Sequence, residues 1–156
     1  MNTPTIKLPK PTDDTKEFWK GCKLHELRVQ RCKRCQAYRF PPQIMCPKCQ
    51  SLSVEWSKVS GKGTLYSFAV PYRPSPGDYP IPDMNYPYII VLVELDEFSG
   101  LRLAGNMIGC NIDDIKIGMP VEVIFEDINE DISLPRFIPI WQLSPNKTPY
   151  RFGAQT

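Results

Sequence analysis

Four cysteines in two matched pairs carry the clearest chemistry in this sequence. Cys32 and Cys35 are separated by two residues, and after ten further residues Cys46 and Cys49 repeat that spacing. Each pair can form a tight turn whose thiolates converge, and two such turns supply four sulfurs for a tetrahedral Zn²⁺ site. Four protein ligands leave no open coordination position for water or substrate, so the pattern predicts a zinc ribbon holding one structural zinc ion.

Disulfide bonds and a redox-active pair are the alternative uses of these cysteines. The first residues, MNTPTIKLPKPTDD, contain no secretion signal, which argues against disulfides, and two matched pairs argue against a single redox pair. Lys33, Arg34 and Lys48 lie within the pairs, where they would offset part of the negative charge of a zinc tetrathiolate. Zinc is therefore the favoured interpretation.

No other residue pattern indicates catalysis by this chain alone. The sequence contains no GxSxG, HExxH or GxxxxGK[ST] motif. Cys22 and Cys110 are left over, and His25 is the single histidine with which either could form a nucleophile–base pair. We expect both cysteines to be small apolar residues, because this is the usual role of free cysteine. The sequence thus predicts a protein that is not itself an enzyme.

The elements that position the cysteines begin with a short helix. Asp14 and Glu17 have the spacing of a capping box, which predicts a helix that starts there and ends near Gly21, within an N-terminal arm and helix over residues 1–26. Residues 26–30 then alternate as a strand that leads into the zinc ribbon, residues 27–52, with Gln30 on the polar face.

The remainder of the chain is predicted to be mainly β. Strand candidates bounded by Gly, Pro, Asn or Asp occur at 54–59, 63–70, 88–95, 101–107, 121–125 and 137–143. Such short strands favour a five-stranded OB-fold barrel over residues 53–143, because closure removes exposed strand edges. A β-sandwich is the alternative, and residues 144–156 would form a C-terminal tail.

Charge divides the chain into two parts. Residues 1–50 hold 11 Lys and Arg against 4 Asp and Glu, a balance of +7, whereas the remainder holds 8 against 13, a balance of −5. This asymmetry indicates two modules with different partners, although an unevenly charged soluble surface is the simpler interpretation. No run of eighteen apolar residues occurs, so we expect a cytoplasmic protein that does not enter the membrane.

A proline-rich loop separates two of the strand candidates. Residues 71–87 contain six Pro and three Tyr, with Arg73 as their single cation. Long ordered loops are usually functional, so this segment is predicted to form a binding surface, with packing on its own barrel as the alternative.

The order of these features resembles one known family. Six segments follow one another between residues 18 and 139: FWKG, LRVQRCKRCQAYRFPPQIMCPKC, VSGKGTLYSF, YIIVLVELDE, LRLAGNMIG and IKIGMPVEVIFED. This arrangement is similar to the zinc-ribbon/OB-fold family associated with acyl-CoA enzymes. The resemblance implies a helical N-terminal hairpin, a rubredoxin-like ribbon whose zinc ligands are the four cysteines, and an OB barrel. One departure is that Gln36 and Gln50 occupy positions where the family often has glycine.

The resemblance also implies a function. Members of this family form tight complexes with thiolase-like subunits that carry the catalytic cysteine, as in acetoacetyl-CoA thiolase with HMG-CoA synthase, benzoylsuccinyl-CoA thiolase and steroid side-chain aldolases. The chain would then be an accessory subunit that docks on such a partner and helps bind or cover a CoA ester. Candidate contacts for the ester phosphates and acyl arm are the cations Lys33, Arg34, Arg39 and Arg73 and the aromatic residues Tyr38, Phe40 and Tyr72.

Single-stranded nucleic acid is the alternative ligand, because OB barrels and ribbons both bind it. A groove that follows a nucleic-acid strand should be positive, yet the segment that forms the predicted barrel is acidic. We therefore expect nucleic-acid binding to be the less favoured function.

Overall fold

The computed structural model describes residues 8–73 and 87–143. Strands account for most of the regular structure in these ranges, as the composition predicts. The elements in chain order are α1 (Lys16–Lys23), β1 (Arg28–Cys32), β2 (Tyr38–Arg39), β3 (Val54–Lys58), β4 (Lys62–Ala69), β5 (Ile89–Leu95), β6 (Arg102–Met107), β7 (Pro120–Asp127) and β8 (Ser133–Pro139), with 3₁₀ turns at Ile112–Asp114 and Ile140–Leu143.

The strands form two sheets. An antiparallel sheet of order β2-β1-β3 holds the zinc ribbon, and β4-β5-β6-β8-β7 close into a five-stranded barrel. The predicted OB-like barrel is confirmed, and the β-sandwich alternative is wrong. One correction concerns β3, which opens the segment predicted as barrel but pairs with β1 along its whole length, with Gln30 opposite Trp56.

The last strand was predicted too late in the chain. β8 runs over Ser133–Pro139 instead of residues 137–143, and the residues after it form a 3₁₀ turn. β8 contains Pro135 and Pro139, and proline cannot donate to a ladder. It is tolerated here because β8 pairs with β6 at two positions only, so much of that side of the strand needs no donor.

This short pairing of β6 with β8 is the parallel seam that closes the barrel. Asn106 lies opposite Arg136 and Met107 opposite Phe137, and Arg136 Nη1 donates to Asn106 Oδ1 at 2.8 Å. Phe137 is fully buried, and its ring would lie 3.1 Å from a Cβ added at Gly105. The absent side chain at Gly105 therefore lets this ring pack against β6 beside the seam.

A single apolar core joins the two sheets and the helix. Phe18 and Cys22 of α1 and Leu27 and Val29 beside or within β1 are buried in the same cluster as the barrel residues. The barrel members of this cluster include Leu65, Val91, Val93, Leu103, Val121 and Phe137. The helix thus covers the junction between ribbon and barrel.

The helix boundaries differ from the predicted capping box. α1 begins at Lys16 with Thr15 at the N-cap, and no side chain caps it. The carbonyl oxygen of Thr12 accepts from the N–H groups of Thr15 and Lys16, so a preceding backbone turn replaces Asp14 as the start signal. The helix ends at Lys23, soon after Gly21 as predicted, and the missing Cβ of Gly21 allows the carbonyl oxygen of Glu26 to approach closely.

His25 ends the helix and ties it to the barrel. It has a φ of 56°, and the N–H groups of His25 and Glu26 donate to the carbonyls of Cys22 and Gly21, which is a Schellman motif. The imidazole stacks on Phe125 and its Nε2 lies 3.0 Å from Asp127 Oδ1. The single histidine therefore has a structural role between α1 and β7.

Candidate metal centre

The four predicted cysteines come together at the end of the ribbon sheet. Cys32 is the last residue of β1, Cys35 lies in the turn that follows, and Cys46 and Cys49 lie in the turn that precedes β3. Their Sγ atoms are all within 4.8 Å of one another, and the Cys32–Cys49 and Cys35–Cys46 sulfur pairs are each 3.6 Å apart. Tetrahedral Zn–S bonds of about 2.3 Å imply sulfur separations of about 3.8 Å, whereas a disulfide requires about 2.05 Å. The arrangement therefore fits zinc.

Both cysteine pairs have the same local backbone. The N–H of Gln36 donates to the carbonyl of Cys32 at 2.9 Å, and the N–H of Gln50 donates to that of Cys46 at 2.8 Å. Gln36 and Gln50 have φ angles of 61° and 58°. Glutamine thus adopts the left-handed conformation that glycine often provides at these positions, at a cost of about 1 kcal/mol each.

Backbone donors prepare the first cysteine of each pair to bind a cation. The N–H groups of Cys49 and Lys48 lower the pKa of Cys46 to about 6, and those of Cys35 and Arg34 lower the pKa of Cys32. With a pKa of about 6, the Cys46 thiol is largely deprotonated at neutral pH, and the thiolate is the metal-binding form.

Cys49 differs from the first cysteines of the pairs. The N–H of Ser51 lowers its pKa, but desolvation and the neighbouring sulfurs outweigh that bond and raise the pKa to about 11. Four thiolates this close together need a cation between them, which Zn²⁺ supplies. The predicted zinc cofactor is confirmed by this cluster of four cysteines together with the zinc-ribbon family match given below, and the assignment of all four as its ligands stays a prediction.

A buried polar cluster supports the ribbon, and sequence reasoning missed it. Gln30 is 4% exposed, and its Oε1 accepts from Arg39 Nε at 2.7 Å and from the backbone N–H of Gln43 at 2.9 Å. Arg39 Nη2 donates to the carbonyl of Gln43 at 3.0 Å. Gln30 was predicted on the polar face of the strand, but residues 39–43 cover that face, and no local pattern could have shown it.

The predicted ester contacts near the ribbon fall into two groups. Lys33 and Arg34 are exposed beside the cysteines, whereas Arg39 is buried and bonded within the chain. Tyr38 is half-buried with its ring centroid 5.9 Å from that of Phe98, and the half-buried Phe40 packs 5.1 Å from Phe18. The structure therefore leaves two of these five residues fully on the surface.

Tyr72 and Arg73 are both exposed at the end of the first described range. The remainder of the proline-rich loop up to residue 86 lies outside the described residues, as does the predicted C-terminal tail, residues 144–156. The contacts of that loop remain a prediction.

The remaining cysteines are not activated thiols. Burial raises the pKa of Cys22 to about 12, and desolvation together with Asp114 raises the pKa of Cys110. Within residues 8–73 and 87–143, the four ribbon cysteines are the one cluster of three or more His, Cys, Asp or Glu side chains arranged to hold a metal. In the same ranges, no helix has the length and apolar character needed to span a bilayer.

Comparison with known proteins places both halves of the chain. Residues 19–55 match the family described as the ChsH2 rubredoxin-like zinc ribbon domain, and residues 56–126 match the ChsH2 C-terminal OB-fold domain. A DUF35 domain-containing scaffold protein of Methanocaldococcus jannaschii is 39% identical over 102 residues, covering 65% of this chain and 68% of the relative.

Two longer relatives have names of enzyme subunits. A probable enoyl-CoA hydratase alpha subunit of Thermomonospora curvata is 36% identical over 138 residues, which are 87% of this chain. A 3-oxo-4,17-pregnadiene-20-carboxyl-CoA hydratase alpha subunit of Mycobacterium tuberculosis is 36% identical over 127 residues, which are 81% of this chain. The matched regions make up 41% and 38% of these two relatives, so the chain spans about two fifths of their length.

Solved structures agree with the sequence matches. A chain from a structure described as the Ltp2-ChsH2(DUF35) aldolase is 33% identical, with a TM-score of 0.73 over 85% of this chain and 99% of that one. A DUF35 protein of unknown function from Sulfolobus solfataricus has the same fold, with 16% identity over 81% of this chain and 85% of its own and a TM-score of 0.55. The chain belongs to the DUF35 family of zinc-ribbon and OB-fold proteins, which includes the ChsH2 subunits.

Proposed function

We propose that this chain is a non-catalytic subunit of an acyl-CoA thiolase- or aldolase-type complex, which docks on a thiolase-like catalytic subunit and helps to bind or cover the CoA ester. The observation that carries the proposal is the similarity to the ChsH2(DUF35) chain of an aldolase that also contains Ltp2, because it extends over 99% of that chain. Relatives named as a scaffold protein and as hydratase alpha subunits support a role within a larger assembly.

The chemistry of the described residues supports an accessory role. The raised pKa values of Cys22 and Cys110 keep both thiols protonated at neutral pH, and His25 is engaged with Asp127. Zinc with four thiolates has no open position, so in this protein it would stabilise the ribbon and the surface that the ribbon presents. The reactive groups would then belong to the partner.

Three exposed cations and one exposed aromatic residue are the groups of the predicted set that can reach a ligand. Lys33 and Arg34 lie beside the zinc site, and Tyr72 and Arg73 lie at the start of the proline-rich loop, shortly after β4 ends. Cations form strong charge-assisted hydrogen bonds to phosphates, and an aromatic ring can exclude water from an acyl chain. We place the complex in the cytoplasm, where reducing conditions keep the cysteines available to zinc.

The proposal is tested by expressing this chain together with thiolase-like proteins from its source organism. Size-exclusion chromatography with light scattering should show a stable hetero-complex, and CoA-ester cleavage should require the partner and increase when this chain is added. Turnover by this chain alone, or a partner that neither binds it nor changes activity with it, would contradict the proposal.

The same preparation distinguishes the nucleic-acid alternative. Two of the barrel cations are already paired with carboxylates, Arg102 with Glu94 at 2.9 Å and Arg136 with Glu126 at 2.8 Å. We therefore expect no binding of a labelled oligonucleotide even at low salt. Binding that weakens steeply as salt is added would favour the alternative, because this is the signature of phosphate contacts.

A further inference from the structure

The zinc site is surrounded by exposed aliphatic side chains. Ile44 is 68% exposed, Met45 is 50% exposed and Leu52 is 67% exposed. Ile44 and Met45 immediately precede the ligand Cys46, and Leu52 follows the second cysteine pair. Clustered apolar side chains on a surface indicate an interaction site, whereas isolated ones need no explanation.

The contacts of the cysteine turns bring these residues to one region. The backbone N–H of Lys33 donates to the carbonyl of Ser53 at 3.1 Å, which places Lys33 next to Leu52. The N–H of Cys46 donates to the carbonyl of Ser51 at 2.9 Å, which places the chain after Met45 next to Leu52. We name the set Lys33, Arg34, Ile44, Met45 and Leu52 the knuckle surface.

The knuckle surface is also cationic. Between residues 27 and 54 the sequence contains six Lys and Arg and no Asp or Glu. Arg28 and Arg31 obtain carboxylate partners from Glu26 and Glu55, just outside this stretch. Lys33 and Arg34 form no ion pair with any residue of the two described ranges, as the salt bridges found there all involve other side chains. Zinc and four thiolates offset part of this charge but not all of it.

The residue types favour a protein partner over the other candidates. Single-stranded nucleic acids stack their bases on aromatic rings, whereas the apolar members of the knuckle surface are aliphatic. A second copy of this chain would bring like charges face to face in a twofold interface, which is unfavourable. Methionine and arginine are enriched where two proteins meet.

We propose that the knuckle surface is the face that docks on the thiolase-like catalytic subunit, against an apolar patch of that subunit with an acidic rim. This inference rests on the proposed function and adds the position of the interface and the chemistry of the complementary surface. Aliphatic contacts would supply most of the affinity, and Lys33 and Arg34 would orient the encounter by their charge.

The test uses two variants of the full chain and two matched controls. Leu52→Ser and Arg34→Glu alter the knuckle surface, and Ile117→Ser and Lys116→Glu make comparable changes on the exposed turn before β7. Ile117 is 67% exposed, the same fraction as Leu52. Affinity for the thiolase-like subunit that co-purifies with the wild-type chain is measured by calorimetry without any CoA ester, so that ester contacts do not contribute.

We expect each knuckle variant to bind about tenfold more weakly and each control to stay within about twofold of the wild type. The affinity of Arg34→Glu should also depend less on salt than that of the wild type. All four variants should retain one zinc ion per chain by elemental analysis, since none replaces a ligand.

Three results would overturn the inference. Knuckle variants that bind the partner as tightly as the controls do would place the interface elsewhere while leaving the proposed function intact. The other candidate occupants are a second copy of this chain, in a homodimer, and an oligonucleotide. If Leu52→Ser or Arg34→Glu abolished wild-type binding of either of these and left the hetero-complex unaffected, the knuckle surface would belong to that other occupant. Failure of the wild-type chain to bind the partner would overturn both this inference and the proposed function.

Discussion

Gln30 is the residue whose replacement should damage the ribbon most without touching zinc. Its Oε1 is the acceptor for both Arg39 Nε and the N–H of Gln43, and the side chain is almost fully buried. Gln30→Leu keeps a similar volume but removes that acceptor. The N–H of Gln43, whose bond is part-buried, and Nε of the buried Arg39 then lose that acceptor, and Arg39 Nη1 already has no partner.

The expected loss follows from these two donors. A buried unsatisfied neutral donor costs about 1–3 kcal/mol, and a charged one costs more, so Gln30→Leu should lower the free energy of unfolding by about 4 kcal/mol. Since small domains are stable by about 5–15 kcal/mol, this loss is easily measured. The assay is urea unfolding of zinc-saturated protein followed by tryptophan fluorescence, with Trp56 lying opposite Gln30 on β3 as a local reporter.

Two further variants separate this mechanism from a general loss of packing. Gln43 takes part through its backbone, and its side chain is exposed, so Gln43→Ala should change the free energy of unfolding by less than about 0.5 kcal/mol. The double variant Gln30→Leu/Arg39→Leu removes the buried charge of Arg39 together with its acceptor. It should recover at least half of the free energy of unfolding that Gln30→Leu loses. A Gln30→Leu protein within about 1 kcal/mol of the wild type would refute the reasoning, as would a double variant less stable than the single one.

Three other perturbations probe the metal, the helix junction and the barrel. Cys46→Ala should abolish stoichiometric zinc binding and the cooperative unfolding of the ribbon, whereas Cys110→Ala should retain one zinc per chain, as elemental analysis will show. Hydrogen bonds from the Ser133 hydroxyl and then from His25 lower the pKa of Asp127 in the folded state. The ionised carboxylate therefore stabilises the fold at pH values above about 3.9, the pKa of Asp in an unfolded chain. This contribution is lost as the pH falls below that value and through the lower pKa of the folded state. Asp127→Asn should therefore be less stable than the wild type at pH 7 and equally stable in strong acid, and a gap that persists in acid would contradict this. Gly63→Ala should cost about 3 kcal/mol in thermal unfolding, because its Cβ would overlap the carbonyl oxygen of Glu94, and an unchanged melting temperature would disprove that clash.

The features that depend on local patterns could be predicted from the sequence. The cysteine spacing predicted the four thiols that cluster in the ribbon. The predicted strand 88–95 differs from β5 by one residue, because Ile89, Val91, Val93 and Leu95 alternate inward as a half-buried strand requires. The left-handed turns at Gln36 and Gln50 were uncertain because glycine is the usual residue there, yet the cysteine pairs retain the geometry.

The features that depend on distant contacts could not be predicted. β3 has the pattern of a barrel strand, and its pairing with β1 becomes visible only when the ribbon sheet is assembled. Gln30 follows the strand alternation faithfully, and its burial depends on residues 39–43 folding over it. Asp14 and Glu17 have capping-box spacing, but a backbone turn at Thr12 starts the helix two residues later.

The seam between β6 and β8 gives the barrel a defined weak point. Every other neighbouring pair of barrel strands has at least three opposed residue pairs, whereas here the ladder has two, in the parallel arrangement that is slightly less stable per residue. We therefore expect local unfolding in the native state to begin where Asn106 meets Arg136. β5 is paired along most of its length on both sides, so we expect it to be among the last strands to exchange its amide hydrogens with solvent.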